Sequence, residues 1–276
     1  MTNSSPVCIT QIDAFADRPF SGNPAGVLLL DTPVEAAWMQ SVAAEMNLSE
    51  TAFLLPVDGG WNLRWFTPTV EIDLCGHATL ASAFHLFTDH GVIGDELRFD
   101  TRSGWLTATR QADGWIELDF PADITIPLAL TEAPDGLLDG LDLRPEDVVA
   151  LARGRTDILV ELAEARAVRA LAPDFRLLRN VGVRGISVTA LGDEGFDFVS
   201  RFFAPGSGVN EDPVTGSAHC TLGPYWAEKL GRHELVAYQA SSRGGTVRVS
   251  VPPEGSPLWQ KRVRLAGRAV HGLQRR

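Results

Sequence analysis

Two short stretches of this sequence combine ionisable residues with glycine in a way that could support acid–base chemistry. EDPVTGSAHC occupies residues 211–220, and IDLCGHATLA occupies residues 72–81. Each stretch places a carboxylate before a glycine and a small polar residue, and then continues into an apolar helical pattern. This pattern predicts a helix N-terminus, where backbone N–H groups and the helix dipole can bind an anion. Two such termini that face each other would hold a small acidic molecule.

The two stretches lie within an internal repeat. Arg64 and Arg201 begin the similar pentapeptides RWFTP and RFFAP, which are offset by 201 − 64 = 137 residues. Gly76 and Gly216 are offset by 216 − 76 = 140, and the tripeptides RSG and RGG further along by 243 − 102 = 141. Three matches in one order, at about half the length of the chain, indicate a duplicated domain. We therefore expect two similar halves with a ligand site in the cleft between them.

Composition and charge argue against several classes of protein. The chain has 276 residues, of which 45% are hydrophobic, and this is enough for two domains with substantial cores. Its net charge of −11 would repel nucleic acid and anionic membranes. The sequence lacks a signal-peptide pattern and a membrane-spanning apolar run, so we expect a cytoplasmic protein. The three cysteines are too few for a disulfide framework and are expected to be reduced.

The hydrophobic pattern predicts the elements that position the two stretches. Residues 7–15 alternate as a strand, in which Cys8 would be a small core residue, and a turn over 21–26 leads to a second strand. After Gly76 the apolar residues cover more than one helix face, which predicts a central helix surrounded by a curved sheet. The other predicted helices cover 33–46, about 143–153, 164–172 and, as the central helix of the second half, 217–231.

Five segments occur along the chain in this order: IDAFADRPFSGNPAGV, NLSETAF, CGHATLA, EDPVTGSAHC and SSRGG. Together they resemble the phenazine-biosynthesis PhzF-like isomerase family over nearly the whole length. The resemblance implies an α+β fold of the diaminopimelate-epimerase type. This fold has two similar domains from an internal duplication, each a β-barrel-like sheet wrapped around a central helix, with the site in the inter-domain cleft. The domains are expected over 1–121 and 122–263, and the C-terminal strand, about 264–276, could return to the first.

The resemblance also implies an activity and a set of site residues. The activity is that of a cofactor-independent isomerase, which shifts a proton within a small carboxylate-bearing metabolite and uses neither a metal nor an organic cofactor. The acid/base group would be Glu50. The partners would be the anionic metabolite and a second copy of the chain in a homodimer, without nucleic acid or membrane. The implied site residues are the catalytic Glu50, His77 and Asp212 and the substrate-binding Gly76, Gly216 and Ser217.

Each of these side chains also has a purely structural explanation. Glu50 could close a capping box with Asn47, three residues earlier. His77 could be an ordinary histidine at the start of a helix, Asp212 could begin an Asp-Pro turn, and Ser217 could cap its helix. Their placement on two related loops favours a shared functional site.

Other chemistries fit the sequence less well. A hydrolase triad built on Ser217 would need a GxSxG turn, which this sequence lacks. A zinc site built on the Cys-Gly-His and His-Cys pairs would lack the customary spacing of zinc ligands. Epimerisation by two thiols would need a second cysteine where Thr215 precedes Gly216, as Cys75 precedes Gly76. An epimerase or racemase with a different second base, and a metabolite-binding protein without turnover, stay open as alternatives.

Overall fold

The N-terminal part of the chain forms a sheet around one helix. In the computed structural model, which describes residues 8–274, β2 pairs antiparallel with β1 and parallel with β3. Strand β3 then pairs antiparallel with β4, and β6, β7 and β8 follow as an antiparallel meander. The elements are β1 (Thr10–Ala14), β2 (Asn23–Leu29), α1 (Ala36–Met46), β3 (Glu50–Val57), β4 (Gly60–Phe66), β5 (Glu71–Ile72), α2 (Gly76–Thr88), β6 (Glu96–Thr101), β7 (Gly104–Arg110) and β8 (Ile116–Pro121).

Helix α2 is the centre of this sheet. All its residues except Gly76, Phe84 and Thr88 are buried, and it contacts β1, β2, β3 and β7. A helix that is buried on every side needs small and apolar residues all round, which is why the pattern after Gly76 has no polar face. The prediction of a central helix surrounded by a sheet is therefore confirmed for this part of the chain.

All the remaining elements except the last strand form a second arrangement of the same kind. Strands β11 and β12 are parallel, β12 and β13 are antiparallel, and β15 and β16 form an antiparallel pair. The elements are β9 (Ile126–Leu128), α3 (Leu137–Leu141), β10 (Val148–Arg153), β11 (Asp157–Leu162), α4 (Ala165–Ala170), α5 (Phe175–Leu178), β12 (Gly185–Leu191), β13 (Phe198–Ala204), β14 (Val209–Asp212), α6 (Gly216–Leu230), β15 (Glu234–Gln239), β16 (Gly245–Ser250), β17 (Arg262–Gly267) and β18 (Ala269–Gln274).

Helix α6 is the second central helix. Most of its residues are buried, and Trp226 fills the interior beside Phe198 with its ring stacked at a centroid distance of 5.9 Å. Gly223 allows the helix to lie close to β16, because a Cβ there would be 2.5 Å from the Val249 side chain. The predicted start of this helix at the 216–217 loop is confirmed.

The described chain divides into two compact units. The first unit contains the residues up to Asp119 together with those from Ala266 onward, and the second unit is Phe120–Leu265. Strand β18 belongs to the first unit because it pairs antiparallel with β1. None of the helices within residues 8–274 combines the length and the hydrophobicity that a membrane crossing would require.

The internal repeat extends to a matched ion pair in each unit. In the first unit, Arg64 on β4 donates from Nε and Nη2 to the two carboxylate oxygens of Glu71 on β5, at 2.7 and 2.8 Å. In the second unit, Arg201 on β13 makes the same two bonds to Glu211 on β14, at 2.7 and 2.9 Å. The two glutamates are offset by 211 − 71 = 140 residues, the offset of the two glycine loops. Each pair fixes the short strand that leads into a central helix.

Three local predictions were wrong. The predicted helix over 143–153 is a 3₁₀ turn at Pro145–Asp147 followed by strand β10, which pairs with β9 and β11. Its β-branched valines and two neighbouring strands outweigh the helical spacing. Cys8 is exposed and lies before β1, so it is not a core residue; residue 7 of the same predicted strand lies outside the described residues. The predicted turn over 21–26 ends early, because β2 begins at Asn23.

Candidate active site

Glu50 is the first residue of β3, just after α1 ends. Asn47 takes a left-handed φ of 50° as the C-cap of α1, and its N–H donates to Ala43 O at 3.1 Å. Since Asn47 ends a helix and does not begin one, the capping-box explanation for Glu50 is wrong. The side chain of Glu50 is only 16% exposed. A capping box therefore does not explain why this carboxylate is largely buried at the start of β3.

The carboxylate of Glu50 faces His77 on the first turn of α2. Glu50 Oε2 lies 3.0 Å from His77 Nε2, which is close enough for an ion pair. The geometry is not that of an aligned hydrogen bond, and both of these buried atoms have no hydrogen-bond partner. A buried polar atom without a partner costs free energy, so such atoms in native proteins call for an explanation. Here both belong to side chains that can carry a proton.

The other ring nitrogen of His77 faces Asn23 and Cys75. Asn23 Nδ2 lies 3.3 Å from His77 Nδ1, and Cys75 Sγ lies 3.6 Å from the same nitrogen. Because an amide nitrogen can only donate, Nδ1 is the acceptor when the ring is neutral, and the ring proton is then on Nε2, beside Glu50. Ser49 Oγ donates to Asn23 Oδ1 at 3.4 Å, which holds the amide in this orientation.

Burial and neighbouring charge have opposite effects on the pKa of His77. Burial raises the pKa of the Cys75 thiol, and the Glu50 carboxylate raises it further, so the thiol stays protonated near neutral pH. Burial lowers the pKa of His77, but its acidic neighbours Cys75 and Glu50 outweigh this effect, and the pKa lies well above its usual range. The Glu50 carboxylate is one of the two groups that raise the pKa of His77, and it is the one that lies beside Nε2.

The pairing with Glu50 predicts a change in the titration of His77. In a Glu50→Gln variant the carboxylate charge is lost while burial stays, so the pKa of His77 should fall. The measurement is an NMR titration of the imidazole signals. His219 serves as the internal control, because burial lowers its pKa to about 4 and it lies in the second unit. An unchanged pKa of His77 in the variant would contradict the pairing.

The same pKa shift has a consequence for stability. A group whose pKa is raised by folding stabilises the native state fully below its unfolded pKa, which is about 6.5 for histidine. This contribution of His77 is then lost as the pH rises through its folded pKa.

In the second unit, Asp212 ends β14 and supports the start of α6. Asp212 Oδ2 accepts a hydrogen bond from Thr215 Oγ1 at 2.5 Å, and Thr215 is the N-cap of α6. Gln239 donates to Asp212 O at 2.7 Å and accepts from Thr215 N at 2.8 Å. The loop before Gly216 is thus fixed by side-chain hydrogen bonds.

Ser217 is exposed on the first turn of α6 and contacts an arginine. Arg184 Nη2 donates to Ser217 Oγ at 3.1 Å, and the same guanidinium is paired with the buried carboxylate of Asp157. Ser217 follows the helix cap and is not the cap itself, since Thr215 holds that position. A hydroxyl, a guanidinium and a helix N-terminus at one place suit a carboxylate ligand.

The structure brings the predicted site residues together in two groups. Glu50, Gly76 and His77 lie in the first unit, and Asp212, Gly216 and Ser217 lie in the second. That the two groups meet around one substrate stays a prediction of the sequence repeat.

Sequence reasoning did not assign roles to Asn23, Cys75 and Arg184. Asn23 lies in the SGNPAG segment, and Cys75 precedes the glycine loop, so both were visible as motif residues. Arg184 had no sequence signal, because its contact with Ser217 joins positions 33 residues apart. Glu50, Cys75 and His77 each offer one possible ligand atom, all within 4.8 Å of one another, so this group could also hold a metal ion.

Comparison with known proteins agrees with this fold. The family model described as phenazine biosynthesis-like protein matches residues 12–275. A protein named as an uncharacterized isomerase of Halalkalibacterium halodurans is 49% identical over 265 residues, which cover 95% of each chain. The crystal structure of a PhzF-family phenazine biosynthesis protein of Enterococcus faecalis superposes with a TM-score of 0.87 at 39% identity, covering 97% of each chain.

A more distant structure supports the fold alone. A probable proline racemase of Agrobacterium radiobacter superposes with a TM-score of 0.62 at 10% identity, covering 98% of this chain and 92% of that one. The α+β fold of the epimerase type is therefore confirmed. Together the matches place this chain among the isomerases. The chain belongs to the phenazine biosynthesis-like, or PhzF, family.

Proposed function

We propose that the protein shifts a proton within a small carboxylate-bearing metabolite, with Glu50 as the group that takes and returns the proton. The observation that carries this proposal is the pair of buried atoms Glu50 Oε2 and His77 Nε2, 3.0 Å apart and without hydrogen-bond partners. A bound substrate would supply the missing partners. General acid–base catalysis needs a proton-carrying side chain within reach of the reacting atom, and this pair offers two.

The proposed reaction needs no cofactor. Glu50 takes a proton from a carbon next to a double bond or carbonyl, and the electron pair left on that carbon delocalises into the adjacent π system. His77 donates a hydrogen bond to the charge that develops there. Glu50 then returns the proton to a different carbon, so that the double bond moves and no atom or electron is gained or lost. As the sequence repeat predicts, the N-termini of α2 and α6 would each offer backbone N–H groups to a substrate carboxylate.

One observation favours an epimerase as the second candidate. An epimerase returns the proton to the same carbon from the opposite face, which requires a second acid. Cys75 is a buried, protonated thiol 3.6 Å from His77 Nδ1, in the same group as Glu50. In this alternative Glu50 would remove the proton and the Cys75 thiol would supply the returning one, which requires these groups, now within 4.8 Å, to separate around the substrate carbon.

The proposal is tested by incubating the protein in D₂O with a panel of small carboxylates that have a C–H next to a double bond or carbonyl. NMR and mass spectrometry follow the position of the double bond, the configuration and the deuterium content. A moved double bond supports the isomerase. Inversion with solvent deuterium at one carbon supports the epimerase and overturns the proposed shift. Binding without exchange for every ligand would indicate a metabolite-binding protein and contradict both.

Variants of the second unit should separate binding from proton transfer. Ser217→Ala is expected to raise KM with kcat within a few-fold, because the hydroxyl binds the substrate equally in the ground state and the transition state. Asp212→Asn keeps an oxygen for Thr215 but loses its charge, and is expected to lower kcat less than Glu50→Gln does. Steady-state kinetics on any substrate from the panel measures both, with Ser256→Ala, in the turn before β17, as the control. A Ser217→Ala variant with unchanged KM would remove Ser217 from the site.

A further inference from the structure

A second cluster of titratable side chains lies at the other end of α2. His85 is near the C-terminus of this helix, and His90 follows shortly after it. Their Nε2 atoms are 3.1 Å apart, and the ring planes meet at 77° with centroids 4.7 Å apart. Asp89 Oδ2 lies 2.6 Å from His85 Nδ1. Eight residues separate His85 from His77, about 12 Å along the helix, so this cluster is distinct from the Glu50 group.

The contacts of Asp89 fix which nitrogen of His85 is available. A carboxylate only accepts hydrogen bonds, so the proton of neutral His85 is on Nδ1 and its lone pair is on Nε2. This lone pair points toward His90 Nε2. The imidazole of His85 is buried and cannot turn freely, because Asp89 holds its other side. A carboxylate behind a histidine in this way is the usual arrangement around a metal-binding imidazole.

The separation of the two nitrogens is that of two ligands on one metal ion. Two imidazole nitrogens bound to a zinc ion at about 2.0–2.1 Å lie about 2.9 Å apart at a right angle and about 3.3 Å apart at the tetrahedral angle. The observed separation of 3.1 Å lies between these limits. In the metal-free protein this contact is an N–H···N hydrogen bond. A metal ion would replace it when His90 carries its proton on Nδ1 and its exposed ring turns so that both Nε2 lone pairs converge on the ion.

We propose that His85 and His90 form a binding site for a divalent late transition-metal ion, with Asp89 orienting His85 and water completing the coordination. Imidazole ligands suit Cu²⁺, Ni²⁺ and Zn²⁺, and by the general order of affinities Cu²⁺ should bind most tightly. His271 of β18 donates to the same Asp89, at 2.9 and 3.0 Å. The metal would thus link the last turn of α2 and His90, which follows the helix C-cap, to a network that includes the C-terminal strand.

The site is independent of the proposed activity and can be tested on the full chain without a substrate. Metal-free protein is titrated with Cu²⁺ and, separately, with Zn²⁺ by calorimetry, and thermal unfolding is followed with and without each ion. Electron paramagnetic resonance of the copper form reports nitrogen ligands. The variants are His90→Ala, whose side chain is exposed, and Asp89→Asn. The controls are His233→Ala, an exposed histidine of the second unit, and Cys75→Ser, which disables the other possible metal group.

We expect about one ion per wild-type chain and a higher Tm with metal, because an ion that binds only the native state stabilises it. Asp89→Asn should weaken binding roughly 10–100-fold, as loss of an orienting carboxylate does, and His90→Ala by at least as much. His233→Ala and Cys75→Ser should bind as the wild type does. Equal affinity in the wild type and His90→Ala would overturn the proposal. So would binding that Cys75→Ser removes, or no binding to the wild type.

Discussion

A Glu50→Gln variant is expected to turn over substrate roughly 10²–10⁴-fold more slowly than the wild type while binding it within a few-fold. Glutamine keeps the size and hydrogen-bonding capacity of Glu50 but cannot gain and lose a proton near neutral pH. A glutamine amide has nearly the same shape as the carboxylate and can occupy its place beside His77, 3.0 Å away, so the fold should be preserved. Steady-state kinetics gives kcat, and calorimetry with a substrate or product gives the affinity.

The control for this variant is Glu45→Gln. Glu45 is an exposed glutamate of α1, five positions before Glu50, and it should tolerate the same change without effect on kcat. If Glu50→Gln retained nearly full activity, the acid/base role would pass to His77 and Asp212. The family assignment and the fold would be unaffected by that result.

Glu71→Gln and Glu211→Gln are each expected to lower the free energy of unfolding by roughly 1–3 kcal/mol. Each glutamate accepts two hydrogen bonds from one arginine, and the amide can accept only on one side and carries no charge. The remaining guanidinium would then lie largely buried beside a neutral group. Denaturant unfolding measures the change. Glu71 also pairs with Arg102 at 2.6 Å, so the loss in Glu71→Gln should be at least as large as that in Glu211→Gln.

The matched control is Asp147→Asn, which breaks an arginine pair on the surface. Arg144 is 71% exposed in that pair, so solvent screens the interaction and the change should have little effect on stability. Losses in Glu71→Gln and Glu211→Gln no larger than that of Asp147→Asn would contradict the view that these pairs fix the short strands before the central helices.

The two central helices were predictable because their signals are local. Gly76 and Gly216 each follow a carboxylate-bearing loop and precede a run of small and apolar residues, and both helices begin at those glycines. The repeat offsets likewise needed only the sequence. The prediction of a helix over 143–153 was wrong for the opposite reason. Strand β10 forms because it pairs with β9 and β11, and the sequence of the segment alone does not specify these partners.

The contacts of the candidate site also divide into those that the sequence predicted and those that depend on residues far apart in the chain. The family resemblance pointed to Glu50 and His77, and their contact is present in the structure. The support of His77 by Asn23 depends on residues 54 positions apart, and the contact of Arg184 with Ser217 on residues 33 apart. Such contacts arise from strand pairing and packing, so a motif can name the side chains but not their partners.

The most direct test of the central claim is hydrogen exchange at the substrate carbon, because exchange reports proton removal even when no product forms. Wild-type protein and Glu50→Gln are each saturated with the same carboxylate in D₂O, and NMR follows loss of the C–H signal. Our account predicts exchange or rearrangement with the wild type and a loss of at least about 10²-fold with the variant, at similar occupancy. Exchange by Glu50→Gln at the wild-type rate would show that another group removes the proton.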